Sequence, residues 1–397
     1  MAIINNYTTK KRTMIFSKER LPELLQHNTP YYIYDLALLQ QTLTTLTNAS
    51  NKHNYHVHYA FKANVNTEIL AQIKQAGLGA DCVSGNEVKC AINNGFDPAH
   101  IVFAGVGKTD EEINYALHHN IFCFNCESTQ ELAVINELAQ LQNKTAQVAL
   151  RIKPNVDAHT HKYITTGLEE NKFGINPYEF DAVIEQLKTL SHIKLIGLHF
   201  HIGSQITSLS PFKKLCLRVN EINTYFLRKG YDLPIINVGG GLGVNYKNPE
   251  QEPIVNFEDY FNVFNKFIEL RNNQQLHFEL GRAIVAQCGA LVSTVTYIKN
   301  GINTNFAILD AGMTELIRPA LYQAYHKIEN ISSTATTQLK YDVVGPICES
   351  SDCFGKAVEL PITSRGDTII IRTAGAYGEV MSSNYNLRES VKGYYLK

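Results

Sequence analysis

Apolar residues follow two alternating rhythms along this chain. Short runs rich in aromatic and branched side chains recur, separated by stretches with apolar positions three and four residues apart. The runs are 56–62 (HVHYAFK), 79–84 (GADCVS), 101–106 (IVFAGV), 121–127 (IFCFNCE), 147–153 (QVALRIK), 195–203 (LIGLHFHIG), 235–240 (IINVGG) and 277–282 (HFELGR). Intervening stretches such as 85–95, 128–142 and 257–272 have the spacing of amphipathic crossover helices. Eight strand and helix units in succession predict a parallel (β/α)8 barrel of the TIM type, with a doubly wound open sheet as the alternative.

From residue 284 the rhythm changes to strand-like runs joined by turns, as in NFAILDAG, YDVVGP, KAVELPIT and DTIIIRT. This predicts a second, mostly β domain, a sandwich or a barrel. The early run YYIYD at 31–35 is compatible with either part. The division adopted is 36–283 for the barrel, and 1–35 with 284–397 for the β domain. No repeat of solenoid period and no low-complexity tract interrupts this organisation.

Composition narrows the function classes. The 397 residues are 44% hydrophobic, enough for a sizeable core, and carry a formal net charge of -1. That balance gives no electrostatic reason to expect nucleic acid or a membrane surface, so a small-molecule partner is expected. No run approaches the ~20 apolar residues of a membrane span, and the start MAIINNYTTKKRT lacks the apolar core of a secretory signal, so a cytoplasmic location is expected. The eight cysteines are few for this length and fall mostly within expected strands and helices. A disulfide framework is therefore not expected. Cys123 and Cys126 spell C-x-x-C, but strand alternation would send them to opposite faces, where they could not share a metal.

In a barrel enzyme the active site lies at the C-terminal ends of the strands. Alternation puts His58, Ala60 and Lys62 on one face of the first run, with Tyr59 and Phe61 on the other. Lys62 is then either a stem reaching water or a desolvated amine that loses its proton and becomes a nucleophile. His199 and His201 are compatible with hydrogen-bonded core histidines, a zinc pair, or a flat cover for a planar ring. The glycines of NVGGGLG, Gly239, Gly240, Gly241 and Gly243, suit either a plain turn or backbone N–H groups converging on phosphate. Glu279 and Arg282 in FELGR form either a surface ion pair or a carboxylate that keeps a pyridine nitrogen protonated. A lysine, a phosphate cradle, a carboxylate and a planar stacking residue together describe a pyridoxal phosphate site.

YAFKAN, HFHIGSQ, NVGGGLG, ELGR, DAGMTELIRPALYQAYH, GPICESSDCFG and AGAYGEVMSSNYN resemble, in this order and spacing, the alanine-racemase-like (fold type III) decarboxylases that use pyridoxal 5'-phosphate. The likeness runs from about residue 30 to 390. It implies that Lys62 bonds covalently to the cofactor, that His201 stacks on its ring, and that Ser204 with Gly239, Gly240 and Gly241 holds its phosphate. Glu279 would pair with the ring nitrogen, with Gly281 and Arg282 beside it in the same motif, and Tyr377 would touch both cofactor and substrate. Arg282, Arg318 and Tyr322 would bind the distal carboxylate of the substrate, and Glu349 its distal ammonium. Cys348 would give the proton that replaces carbon dioxide, from a loop that enters the site of a second subunit, so a homodimer with shared sites is implied.

A substrate read by two arginines at one end and a glutamate beside them has amino-acid groups at both termini. The resemblance accordingly implies decarboxylation of meso-2,6-diaminopimelate to L-lysine. Decarboxylation of carboxynorspermidine is the related alternative, and a catalytically silent homologue or a zinc-dependent barrel hydrolase are alternatives of other classes. Locally, Arg318 reads equally as a structural arginine and Cys348 as an inert thiol. The chain departs from the family pattern at Leu280, where proline is usual, at Asn86, and at Ser351, where glycine is usual.

Overall fold

The computed structural model describes residues 21–157 and 172–396; the expected share of residues 1–20 and 397 in the β domain lies outside the described residues. After β1 (Tyr31–Asp35), the strands β2 (His56–Ala60), β3 (Gly79–Cys82), β4 (Ile101–Phe103), β5 (Cys123–Cys126), β6 (Ala146–Ile152), β7 (Ile193–Phe200), β8 (Ile235–Asn237) and β9 (Gln275–Leu280) follow. Strands β2 to β9 pair in sequence order, all parallel, and β9 closes onto β2. The eight runs of the sequence are these eight strands, and closure excludes the open sheet.

The helix Phe257–Phe267 shows why the helices cover the barrel. Phe257, Tyr260, Phe261 and Phe264 recur at three- and four-residue spacing and are all buried. Tyr260, Phe261 and Phe264 set their rings 5.8, 4.9 and 4.9 Å from that of Phe278 on β9. Each buried aromatic contributes roughly 1.5–3 kcal/mol. Asn256 caps the helix by accepting the Asp259 N–H. With Phe278 packed outward, His277 and Glu279 of the same strand point into the barrel.

The remaining strands form a second sheet: β10 (Gly289–Asn300), β11 (Asn305–Leu309), β12 (Ile328–Asn330), β13 (Gln338–Val344), β14 (Cys353–Pro361), β15 (Thr368–Ile371) and β16 (Lys392–Leu396). Their order is β12-β15-β10-β11-β13-β14, and β1 joins antiparallel to β10 and parallel to β16. YYIYD thus belongs to this sheet, and its last residue, Asp35, caps the next helix through the Leu38 N–H. Among the described residues no helix is long and apolar enough to cross a membrane.

The two parts meet at the turn that carries Lys62. Asn64 donates to the Gly375 carbonyl at 2.9 Å, and Tyr377 N–H donates to the Ala63 carbonyl at 2.9 Å. The β domain therefore forms one wall of whatever space lies above the barrel.

Candidate active site

A cavity of about 900 Å³ opens at the C-terminal ends of the barrel strands. Lys62, His201, Ser204, Gly241, Glu279, Gly281, Arg282, Arg318, Tyr322 and Tyr377 all line it. Gly239 and Gly240 stand behind its wall, bonded to groups that line it. Cys348 and Glu349 do not line it.

Lys62 reaches the cavity by a different route from strand alternation. The chain leaves β2 at Ala60 and enters a 3-10 turn, Phe61–Ala63, so the turn aims Lys62. Phe61 anchors that turn, fully buried against Phe96 at 5.2 Å. The Lys62 amine donates to Asp81 Oδ2 at 2.8 Å. Burial alone would release its proton, yet the Asp81 carboxylate, with Tyr377 and Glu279, outweighs burial and raises its pKa above the usual lysine value. Of the two readings of Lys62, neither a stem reaching water nor an amine that sheds its proton describes it while unbound: the paired carboxylate favours the ammonium form.

Glu279 is buried at the centre of a polar layer inside the barrel. Its Oε1 accepts from Asn125 Nδ2 at 3.0 Å and Asn237 Nδ2 at 2.8 Å, and its Oε2 accepts from His199 Nε2 at 3.0 Å. Burial opposes its charge, but His199 and Lys62 more than compensate and lower its pKa well below the usual carboxylate value. The surface ion pair with Arg282 is excluded, since both residues are buried and Arg282 bonds elsewhere. Of the three readings left open, His199 matches the hydrogen-bonded core histidine. Among the described residues no three His, Cys, Asp or Glu side chains group to hold a metal.

The glycine run is more than a plain turn. A Cβ at Gly240 would lie 1.8 Å from the Glu279 carbonyl oxygen, and Gly241 adopts φ +102°. Gly240 N–H donates to His201 Nδ1 at 3.3 Å, which fixes that nitrogen as an acceptor. Burial, then Arg151 and Lys62, push the His201 pKa down to about 3, so its ring is a neutral flat face. At Gly281 a Cβ would press within 3.0 Å of Ala60 and Ala63.

Arg282 and Arg318 are 7% and 5% exposed, and neither pairs with a carboxylate among the described residues. Arg282 donates to Tyr246 Oη at 2.6 Å and Ser204 Oγ at 2.9 Å, with its guanidinium 4.7 Å from the Tyr377 ring centre. The Nε of each arginine is buried and makes no hydrogen bond. Two uncompensated buried cations make this corner a receptor for an anion.

Cys348 is exposed, and the neighbouring Glu349 takes a hydrogen bond from Tyr385 Oη at 3.0 Å. Both stand on the β domain at the start of a loop tied by Asp352, which accepts from Met313 and Ile347 N–H groups. Sequence reasoning missed Asp81, Asn125, Asn237, Tyr246 and His326. Asp81 and Asn237 sit within runs recognised as strands, but nothing local marks their bonds to Lys62 and Glu279.

An amine at Lys62, an ionised buried carboxylate at Glu279, the Gly241 backbone and the Ser204 hydroxyl lining one cavity fit a phosphorylated pyridine aldehyde. Residues 37–286 match the family model described as pyridoxal-dependent decarboxylase, pyridoxal binding domain. A diaminopimelate decarboxylase of Bacteroides thetaiotaomicron is 55% identical over 367 residues, 92% of this chain and 95% of that protein. The crystal structure of diaminopimelate decarboxylase from Helicobacter pylori complexed with L-lysine superposes with a TM-score of 0.89 at 39% identity, covering 96% of this chain and 94% of that one. That from M. jannaschii, also with L-lysine, gives 0.86 at 34% identity over 95% and 88%. A barrel, a lysine-bearing turn and relatives matched along nearly their whole length lead to one assignment: the chain belongs to the pyridoxal-dependent decarboxylase family, among the diaminopimelate decarboxylases.

Proposed function

We propose that this protein converts meso-2,6-diaminopimelate to L-lysine and carbon dioxide, using pyridoxal 5'-phosphate held at the barrel mouth. The observation that carries the reading is the pair of buried, uncompensated arginines, Arg282 and Arg318, in the same cavity as Lys62 and Glu279. A substrate with a carboxylate at its far end matches that pair, whereas a plain diamine acid such as ornithine would leave it without a partner.

Bound pyridoxal phosphate supplies the electron sink that takes the pair of electrons left at the α-carbon when carbon dioxide departs. Lys62 is its covalent tether, and Asp81 keeps the amine protonated at 2.8 Å whenever it is free of that bond. Glu279, ionised and fixed by three donors, would accept the ring N–H of the bound cofactor and favour its cationic form. His201 would cover the ring face, and Ser204 with the turn of Gly239, Gly240 and Gly241 would receive the phosphate. Arg282, Arg318 and Tyr322 fix the distal carboxylate, which orients the bond to be broken, and Tyr377 closes the cavity beside Lys62.

In this reading residues 36–283 form the cofactor-binding barrel, and the β domain of 1–35 with 284–397 completes the site of a second copy. Cys348 and Glu349 support a homodimer, since both are chemically apt yet exposed and outside their own chain's cavity. Within the partner's cavity Cys348 would donate the final proton and Glu349 would bind the distal ammonium. The eight unpaired cysteines support a cytoplasmic location. The test is carbon dioxide release from meso-diaminopimelate with and without added cofactor, with Lys62→Ala and Glu349→Gln as controls. Turnover of carboxynorspermidine in preference would overturn the substrate, and no turnover at all would overturn the reaction.

A further inference from the structure

The two arginines repel one another, yet among the described residues no carboxylate pairs with either. What holds them is a set of neutral acceptors. Tyr246 Oη takes Arg282 Nη1–H at 2.6 Å, and the Tyr246 ring lies 4.9 Å from the Arg318 guanidinium. Arg318 Nη1–H is taken by His326 Nε2 at 2.8 Å. The imidazole's other nitrogen, Nδ1, donates to the Arg372 carbonyl at 2.9 Å, which fixes the tautomer with Nε2 as acceptor. His326 is 1% exposed and stands edge-on to Tyr246, with ring centres 5.1 Å apart. Its backbone is set by the left-handed Gln323 that ends the helix Arg318–Tyr322, and by the Arg372 N–H bonded to the Lys327 carbonyl.

The chemistry of that acceptor matters. A carboxylate at this position would orient Arg318 equally well and cancel its charge. A neutral imidazole orients the guanidinium and leaves its full charge for a ligand. Burial, with Arg318 beside it, holds the His326 pKa down at about 3, so it does not become a third cation in the cluster.

We propose that His326 is a positioning residue for substrate specificity: through its bond to Arg318 it sets the receptor for the distal carboxylate without neutralising it. The inference rests on the proposed reaction only for the identity of the substrate. L-lysine keeps the distal carboxylate, and 1,5-diaminopentane is the same molecule without it.

The experiment measures binding of both compounds to the cofactor-loaded protein by calorimetry, alongside kcat and KM for meso-diaminopimelate. Loss of one hydrogen bond to a charged group predicts that His326→Ala weakens L-lysine by about tenfold to a hundredfold and raises KM to match. Binding of 1,5-diaminopentane and the cofactor absorbance stay as in the wild type. His326→Gln, whose amide can accept from Arg318 and donate to the Arg372 carbonyl, restores most of the L-lysine affinity. If His326→Ala does not fold, His326→Asn, too short to span both partners, takes its place in the comparison. Equal weakening of both ligands, no weakening of L-lysine, or a Gln variant as poor as the others would overturn the proposal. Wild-type protein that binds L-lysine but does not decarboxylate meso-diaminopimelate would sink the reaction and leave this role standing. Normal turnover with L-lysine binding indifferent to His326 would do the reverse.

Discussion

Acidification is expected to destabilise this fold steeply, because the protein keeps several imidazoles buried and neutral. Inside the barrel, His58 Nε2 meets His277 Nδ1 at 2.9 Å and His58 Nδ1 meets the His100 carbonyl at 3.1 Å. Burial first, and in His277 the neighbouring histidines, push the His58 pKa down to about 4 and that of His277 well below the usual value. His326 is held at about 3. A base with a depressed folded pKa takes up its proton first in the unfolded chain, so stability is complete above pH 6.5 and is lost as pH falls below it. Glu87 works the other way: burial raises it to about 7, so the folded state binds its proton first and gains stability between pH 7 and 4.5. With His201, also held at about 3, four histidines against one glutamate leave three protons taken up on unfolding. At about 1.4 kcal/mol per proton per pH unit, stability falls by about 4 kcal/mol per unit near pH 5.5. Set against a total of roughly 5–15 kcal/mol, that loss is large. Urea unfolding of the cofactor-loaded protein at pH 7.5, 6.5 and 5.5 measures it, and His58→Asn should flatten the slope by about one proton. A level profile, a rise in stability on acidification, or an unchanged slope in the variant would refute the reasoning.

Glu279→Gln removes the charge from an acceptor of three hydrogen bonds, so kcat should fall about 10²- to 10³-fold while urea stability drops by about 1–3 kcal/mol. Steady-state kinetics that stay within a factor of three of wild type would count against the ring-nitrogen role. Gly240→Ala forces a methyl group to within 1.8 Å of the Glu279 carbonyl unless the backbone shifts, so cofactor affinity should fall by at least about tenfold in an absorbance titration. Asp81→Asn removes the chief charge holding the Lys62 proton, so the pH at which the amine attaches cofactor should move down by about one unit or more. Mixing the inactive variants Lys62→Ala and Cys348→Ala should restore up to about a quarter of wild-type activity, because half of randomly formed dimers carry one undamaged site. No recovery after subunit exchange would remove the shared-site reading.

The barrel was legible because burying one face of a helix and spacing strands between helices leaves a rhythm shared with only the doubly wound sheet, and closure of β9 onto β2 decides between the two. All eight strand runs, and the glycine turn after β8, stand where that rhythm put them. Motif order was enough to name Lys62, His201, Glu279 and the arginines as members of one site. Local patterning could not supply their partners. Asp81 on β3 bonds Lys62 and Asn125 on β5 bonds Glu279, pairs brought together by strand pairing and barrel closure, while His326, eight residues after Arg318, reaches it across the left-handed turn at Gln323. Those partners decide the charge states: a lysine whose proton the strand pattern left open keeps it, and a buried glutamate stays ionised. Sequence alone determined which chemical groups the protein owns and the order in which they ring the barrel mouth. Only the tertiary structure decided which protons they keep, because a pKa depends on burial and on charges a few ångströms away in space, whatever their distance along the chain.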